Sequence, residues 1–149
     1  MQSDSLVIIP TYNEIENVEA IIQAVFELKK AFHVLIVDDN SPDGTAQKVT
    51  SLQEKFPQQL HLEVRKEKSG LGTAYIHGFK WALKHHYEYI FEMDADFSHN
   101  PRDLIRIYNA CVSENASVAI GSRYVNGVNV VNWPLRRILL SYGASVYVK

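Results

Sequence analysis

Short apolar runs alternate along the chain with segments of helical periodicity, and this alternation limits the fold more than any other feature. Five segments are predicted strands: the apolar runs Leu6–Ile9, Val34–Val37, Tyr89–Met93 and Val118–Ile120, and the alternating segment Leu60–Val64. Helical spacing of apolar residues occupies roughly 14–30, 43–55, 74–86 and 101–113, and again after Pro134. Strands that are apolar throughout are typical of sheets covered on both faces by crossover helices. We therefore predict an α/β fold with a mostly parallel sheet and helices on both faces.

Size and charge exclude several classes of protein. The 149 residues fit one domain, and 15 basic against 17 acidic residues leave a net charge of −2. This balance argues against a nucleic-acid-binding protein. Cys111 is the single cysteine, so neither an internal disulfide nor a cysteine-based zinc site is expected. No stretch reaches the ~18 consecutive apolar residues typical of a membrane span.

Polar residues follow the predicted strands where each strand ends. They are Tyr12–Glu14, Asp38–Asp39, Asp94–Asp96 and Arg123. Ligands of open α/β sheets bind outside the carboxyl ends of the strands. The sequence therefore predicts that these four groups face one crevice.

Asp94 and Asp96 are the sharpest local signal for chemistry. Where a strand ends and the chain turns, two carboxylates separated by one residue can approach one cation. Oxygen ligands favour a hard ion, Mg²⁺ or Mn²⁺, which would neutralise a diphosphate. The alternative is that these carboxylates cap the next helix or lie in water. Their position at the end of an apolar strand favours the metal.

The other strand ends offer groups that suit a nucleotide. Asp39 can accept hydrogen bonds from ribose hydroxyls or base N–H groups, and the Tyr12 ring can stack on a base. Glu14 can accept from the base edge, or it can serve only as a first-turn acid favoured by the helix dipole. Residues 66–73 form a glycine-containing loop that suits phosphate, but the loop matches neither the Walker nor the dinucleotide pattern. Arg123 suits phosphate because its guanidinium is a bidentate donor, although most arginines are simply solvated.

Five motifs occur in the order found in one enzyme family. They are Val7–Glu14, Ile36–Thr45, Gly70–Tyr75 (GLGTAY), Met93–His99 (MDADFSH) and Gly121–Tyr124. The chain resembles the family-2 glycosyltransferases of GT-A fold, a Rossmann-like architecture. The third and fourth motifs resemble most closely the branch of dolichyl-phosphate, or polyprenyl-phosphate, mannosyltransferases. The match runs from Leu6 to about Ser145.

The resemblance implies a role for each matched position. Residues that would hold the nucleoside of GDP-mannose are Pro10, Tyr12, Glu14, Val37 and Asp39. Residues that would hold the diphosphate and the metal are Asp94, Ala95 and Asp96, with Asp96 as principal ligand and Ser98 as a helper. Phosphate contacts would come from Arg123 and from Arg136 or Arg137. The residues expected to carry catalysis are Asp94, Asp96 and Arg123.

The resemblance also implies the reaction. It would be an inverting transfer of a sugar from a nucleotide diphosphate to a lipid phosphate at the cytosolic face of a membrane. A phosphate acceptor is already an anion at neutral pH, so no strong general base is required. Two alternatives stay open: a family-2 enzyme with another donor, such as a UDP-sugar, or another acceptor; and a nucleotide-binding module without catalysis.

Catalytic domains of this family continue well beyond 149 residues, whereas here the sequence stops within the apolar pattern Ile138–Val148. We therefore expect residues 1–149 to be the nucleotide-sugar-binding part of a longer catalytic domain. The remaining part would complete the acceptor side and contact the membrane surface. Exposure of Ile138–Val148 would favour self-association into a homo-oligomer.

Overall fold

A computed structural model describes residues 3–122 and 135–147. Four strands and five helices occupy these ranges: β1 Ser5–Thr11, α1 Val18–Phe26, β2 His33–Asp38, α2 Thr45–Gln53, β3 Leu60–Val64, α3 Leu71–Lys84, β4 Tyr89–Glu92, α4 Asp103–Glu114 and α5 Leu135–Tyr147. No helix within the described ranges has the length and apolar character needed to cross a bilayer.

The four strands form one parallel sheet in the order β3-β2-β1-β4. The chain moves outward from β1 to β3 and then returns to pair β4 with the free side of β1. Strand order therefore reverses between β1 and β4, and ligands of open α/β sheets bind at this kind of switch point. The predicted α/β class is confirmed.

The helices cover both faces of the sheet, as predicted. Val7 and Ile9 of β1 belong to a core shared with α1, α2 and α4. Leu6 and Ile8, which point the other way, pack with α3. Because successive strand residues face opposite sides, a strand buried on both is apolar at successive positions through its middle, as in Leu6–Ile9 of β1.

Gly78 sets how closely α3 approaches the sheet. A Cβ at this position would lie 2.6 Å from Cγ2 of Ile8. Only a residue without a side chain allows this contact between α3 and β1. The contact places the first turn of α3 beside the carboxyl end of β1.

The ends of two helices differ from the sequence prediction. The segment 14–17 forms a turn, and α1 begins only at Val18. Asn13 does not cap a helix, since its φ is +59° and its N–H binds the Ser41 hydroxyl at 3.0 Å. In contrast, α3 begins earlier than predicted, at Leu71.

The prediction of a fifth strand at Val118–Ile120 was wrong. In the described part of the chain the sheet has four strands, and these three residues are irregular. Val118 and Ile120 are 73% and 86% exposed. An apolar run of three residues signals a tendency to be buried, but it does not supply the neighbouring strand that pairing requires.

Candidate active site

A cleft of about 250 Å³ opens at the carboxyl ends of β1, β2 and β4. Most of the side chains predicted to bind a nucleotide-sugar line it. They are Pro10, Tyr12, Glu14, Asp39, Asp94, Ala95 and Asp96. Thr11, Lys68, Leu71 and Ala74 complete the lining. Residues from opposite sides of the switch point therefore meet in one site.

Side chains of the β2–α2 loop hold the loop that carries Tyr12 and Glu14. Three successive backbone N–H groups, at residues 13–15, donate to the side chains of Ser41, Thr45 and Asp43 at 3.0, 3.0 and 3.1 Å. Such side chain–backbone bonds offer the chain an alternative to helix, so α1 starts late. The loop that forms one wall of the cleft is thereby fixed before any ligand binds.

Asp38 organises this region from inside the protein. Its fully buried carboxylate accepts hydrogen bonds from the Thr11 hydroxyl at 2.9 Å and from the Ser41 hydroxyl at 2.6 Å. The Ser41 N–H donates to its second oxygen at 2.8 Å. The prediction that both aspartates face the crevice is therefore wrong for Asp38, which holds the turn after β2 and leaves Asp39 to face the cleft.

Asp39 forms a two-pronged ion pair with Arg65. The Arg65 Nε lies 2.5 Å from Oδ1 of Asp39, and Nη2 lies 2.7 Å from Oδ2. The same guanidinium donates through Nη1 to the Thr73 hydroxyl at 2.8 Å. Asp39 is only 6% exposed, and this pairing is what allows a carboxylate to lie at such depth.

Tyr12 presents its ring to the cleft beneath a cation. The ring is 37% exposed, and the Lys68 ammonium lies 3.9 Å from its centroid. Glu14 accepts a hydrogen bond from the Asn17 side chain at 2.9 Å. An aromatic face and a carboxylate of fixed orientation together suit a flat heterocycle that carries N–H donors.

Asp94 and Asp96 follow β4 on the other side of the switch point. The Tyr75 hydroxyl of α3 donates to Oδ1 of Asp94 at 3.1 Å. Burial raises the pKa of Tyr75 well above its usual range, and the neighbouring Asp94 charge adds to the rise. The Asp94 N–H donates to Nδ1 of His99 at 3.3 Å.

The Asp96 carboxylate is held in its ionised form. Burial by itself would raise its pKa, but hydrogen bonds from the backbone and side chain of Ser98, with the nearby His99, lower the pKa below the usual value. The Ser98 N–H lies 2.9 Å from Oδ1 of Asp96. Phe97 takes a φ of +58° to make this turn.

The donor set in the cleft fits Mg²⁺ or Mn²⁺. Within the described ranges no group of three or more His, Cys, Asp or Glu side chains is arranged to hold an ion by itself. Mg²⁺ is commonly bound by one or two carboxylates together with substrate phosphates. Asp94 and Asp96 match that pattern, because both line the open cleft and only Ala95 separates them in sequence.

Five predicted residues are not part of the described lining of the cleft, or fall outside the described structure. Val37 is fully buried among the apolar residues between β1, β2 and α3, so its side chain does not reach the cleft. Ser98 is exposed beside Asp96. Arg123 and the Arg137 side chain fall outside the part of the chain that the structure describes, whereas Arg136 is exposed on α5.

Sequence reasoning missed two residues of the site, Arg65 and Tyr75. Arg65 directly follows β3, so the rule that identified polar residues at strand ends could have found it. Tyr75 belongs to a quoted motif, but no sequence signal connected its hydroxyl to Asp94, 19 positions further along the chain.

Comparison with known proteins assigns the family. The model of "Glycosyl transferase family 2" matches residues 6–147. Polyprenol monophosphomannose synthase of Mycolicibacterium smegmatis is 48% identical over 96% of this chain and 54% of its own length. Undecaprenyl-phosphate mannosyltransferase of Micrococcus luteus is 43% identical over 95% of this chain and 57% of its own. The chain thus spans little more than half the length of these relatives.

Solved structures share the fold. The mannosyltransferase PcManGT from Pyrobaculum calidifontis, in complex with GDP-Man and Mn²⁺, aligns with a TM-score of 0.55 and 29% identity over 70% of this chain and 31% of its own. TarS 1-349 of S. aureus, in complex with UDP-GlcNAc, aligns with a TM-score of 0.61 and 24% identity over 74% of this chain and 31% of its own, and supports the fold alone. The predicted GT-A architecture is confirmed, and the chain belongs to glycosyl transferase family 2.

Proposed function

We propose that this chain is the nucleotide-sugar-binding part of an inverting mannosyltransferase that moves mannose from GDP-mannose to a polyprenyl or dolichyl phosphate. One observation carries the proposal: Tyr12, Glu14 and Asp39 share a single cleft with Asp94 and Asp96 at the strand-order switch. The names of the mannosyltransferase relatives support the sugar and the acceptor. The GDP-Man and Mn²⁺ complex of a structural relative supports the donor and the metal.

The two walls of the cleft bind different parts of the donor. Tyr12 stacks on the base, and Glu14 and Asp39 accept hydrogen bonds from base or ribose. Asp94 and Asp96 hold a divalent cation, Mg²⁺ or Mn²⁺, with Ser98 beside them. Pro10 and Ala95 shape the floor, Val37 supports it from the core, and Arg123 and Arg137 contact phosphates.

The chemistry follows from the charges of the reactants. A phosphate oxygen of the acceptor attacks the anomeric carbon from the face opposite the leaving group. The new carbon–oxygen bond forms as the bond to the diphosphate breaks, and GDP departs. When bound, the cation supplies neutralisation of the charge that develops on the diphosphate. The acceptor is already ionised, so the protein contributes position and electrostatic stabilisation rather than proton removal.

The metal assignment is tested by calorimetry with GDP and Mn²⁺ on this chain and on Asp96→Asn. The substitution removes the ionised ligand with little change in shape, so we expect the Mn²⁺-dependent affinity for GDP to fall at least about tenfold. Asp103→Asn, an exposed carboxylate in the first turn of α4, is the matched control and is expected to bind like the parent. Equal affinities for the parent and Asp96→Asn would refute the assignment.

A donor screen separates the two alternatives. A UDP-sugar enzyme would bind UDP more tightly than GDP under the same conditions. A module without catalysis would bind GDP-mannose, but the full-length protein would transfer no mannose to polyprenyl phosphate. The proposal also includes action at the cytosolic face of a membrane, and co-sedimentation with vesicles tests the membrane binding that this requires. It further includes self-association through Ile138–Val148, which light scattering tests.

A further inference from the structure

Arg65 does not line the cleft, but it binds Asp39, which does. It is the first residue after β3, and its N–H donates to the Asp38 carbonyl at 2.8 Å. Its side chain is 12% exposed and the Asp39 side chain 8%, so the ion pair is largely out of water. Asp39 lines the cleft, whereas Arg65 is not among the described residues that do so.

The guanidinium also joins three segments. Besides its two bonds to Asp39, it donates to the Thr73 hydroxyl at 2.8 Å. That hydroxyl in turn donates to the Gly70 carbonyl at 2.7 Å. The end of β2, the end of β3 and the start of α3 are thereby fixed around one planar group. A carboxylate bound by both prongs of such a group cannot rotate freely.

Fixing the carboxylate matters for what it can accept. An ionised carboxylate offers about four lone-pair directions, and a two-pronged arginine uses one on each oxygen. The remaining directions are then available to donors in the cleft at a defined orientation. Lysine cannot replace this arrangement, because its ammonium is a point charge without a fork.

We propose that Arg65 is a positioning residue for nucleotide recognition: it orients the Asp39 carboxylate toward hydroxyl or N–H donors of the nucleoside. This inference rests on the proposed function and adds a residue to it. It implies that loss of Arg65 weakens recognition of the nucleoside and leaves the diphosphate–metal wall unchanged.

The test is a double-mutant cycle with two probes. Calorimetry in Mn²⁺ measures the affinities of GDP and of pyrophosphate, which lacks the nucleoside. The variants are Asp39→Asn, Arg65→Gln, the double variant and Arg65→Lys, with Lys80→Gln, an exposed cation on α3, as control. We expect each neutral single variant to weaken GDP binding about tenfold, and the double variant to stay within about threefold of Asp39→Asn. Arg65→Lys falls between, and pyrophosphate affinity stays within about twofold throughout.

Three results would overturn the inference. The first is an unchanged GDP affinity in Arg65→Gln. The second is a double variant whose loss of GDP affinity equals the product of the two single losses. The third is an equal loss of affinity for GDP and for pyrophosphate, which would mark a general structural role. Should Arg65→Gln not fold because it leaves the Asp39 charge uncompensated, the double variant decides, since it must still match Asp39→Asn. A parent that binds no nucleoside diphosphate refutes the proposed function and this inference with it. A parent that binds GDP, with only Asp39→Asn weakened, refutes this inference alone.

Discussion

The contact between Lys68 and Tyr12 gives a prediction about single side chains. A base that stacks on Tyr12 must displace the ammonium now 3.9 Å from the ring centroid, and the displaced cation can then approach the phosphates. We expect Lys68→Gln to weaken GDP binding about threefold to tenfold and to leave guanosine binding unchanged or slightly tighter. Calorimetry with both ligands measures the difference, and Lys80→Gln serves as the control. Equal losses of affinity for guanosine and for GDP would contradict the expected movement of Lys68 from the Tyr12 ring to the phosphates.

For single residues, the sequence predicts most of the side chains that face the cleft, but not the side chains that fix their orientation by hydrogen bonds. Asp39 and Asp94 were found because each ends an apolar strand, which is a local pattern. Arg65 and Tyr75 reach them across 26 and 19 positions, and such contacts depend on how strands and helices pack. Local patterns do not encode that packing, so the supporting hydrogen bonds could not be predicted.

Packing of α3 on β1 can be tested with two glycines of the same helix. Gly78→Ala would place a methyl group against Ile8, and we expect a loss of about 1–3 kcal/mol in the free energy of unfolding. Gly72→Ala meets no atom within 4 Å, so it is expected to leave stability unchanged or raise it by up to about 1 kcal/mol. Urea denaturation gives both values. Similar shifts in the two variants would show that α3 does not depend on this close approach.

Strands and helices were predicted with different success, for a physical reason. Burial on both faces makes the middle of β1 and of β2 apolar at successive positions, Leu6–Ile9 and Val34–Val37, so these runs are visible in the sequence. Helix ends depend instead on competing hydrogen bonds, such as those that residues 13–15 donate to the β2–α2 loop. Val118–Ile120 has the composition of a strand, but no described strand pairs with it.

A cluster of aromatic and histidine side chains links the stability of the whole molecule to pH. His61 lies between His33, Trp81 and Tyr87 at the amino ends of the strands, away from the cleft. Burial lowers the pKa of His61 to about 4, and the neighbouring His33 and His85 contribute. In the unfolded chain His61 binds a proton near its ordinary value of 6.5, so the unfolded state gains protons first as the pH falls.

The resulting stability is present above pH 6.5 and is lost as the pH falls toward 4. Because His61 is only half-buried and water screens part of the effect, we expect this loss to be about 1–2 kcal/mol. Urea denaturation between these pH values measures it, and His61→Gln should flatten the dependence. His77→Gln, which removes a more exposed histidine on α3, should keep the slope of the parent. A slope that survives His61→Gln would assign the effect to other groups.

Pairing of β4 with β1, which joins Ser5 to Tyr89 across most of the chain, has a consequence for synthesis on the ribosome. Once the first three strands have emerged, the chain holds Tyr12, Asp39 and Arg65, but Asp94 and Asp96 are still to be made. The nascent protein therefore contains the wall proposed to bind the nucleoside before it contains the wall proposed to bind the metal and the diphosphate. On the proposed function, a donor contacts both walls only after β4 has paired with β1, so we expect donor binding to stabilise that late pairing.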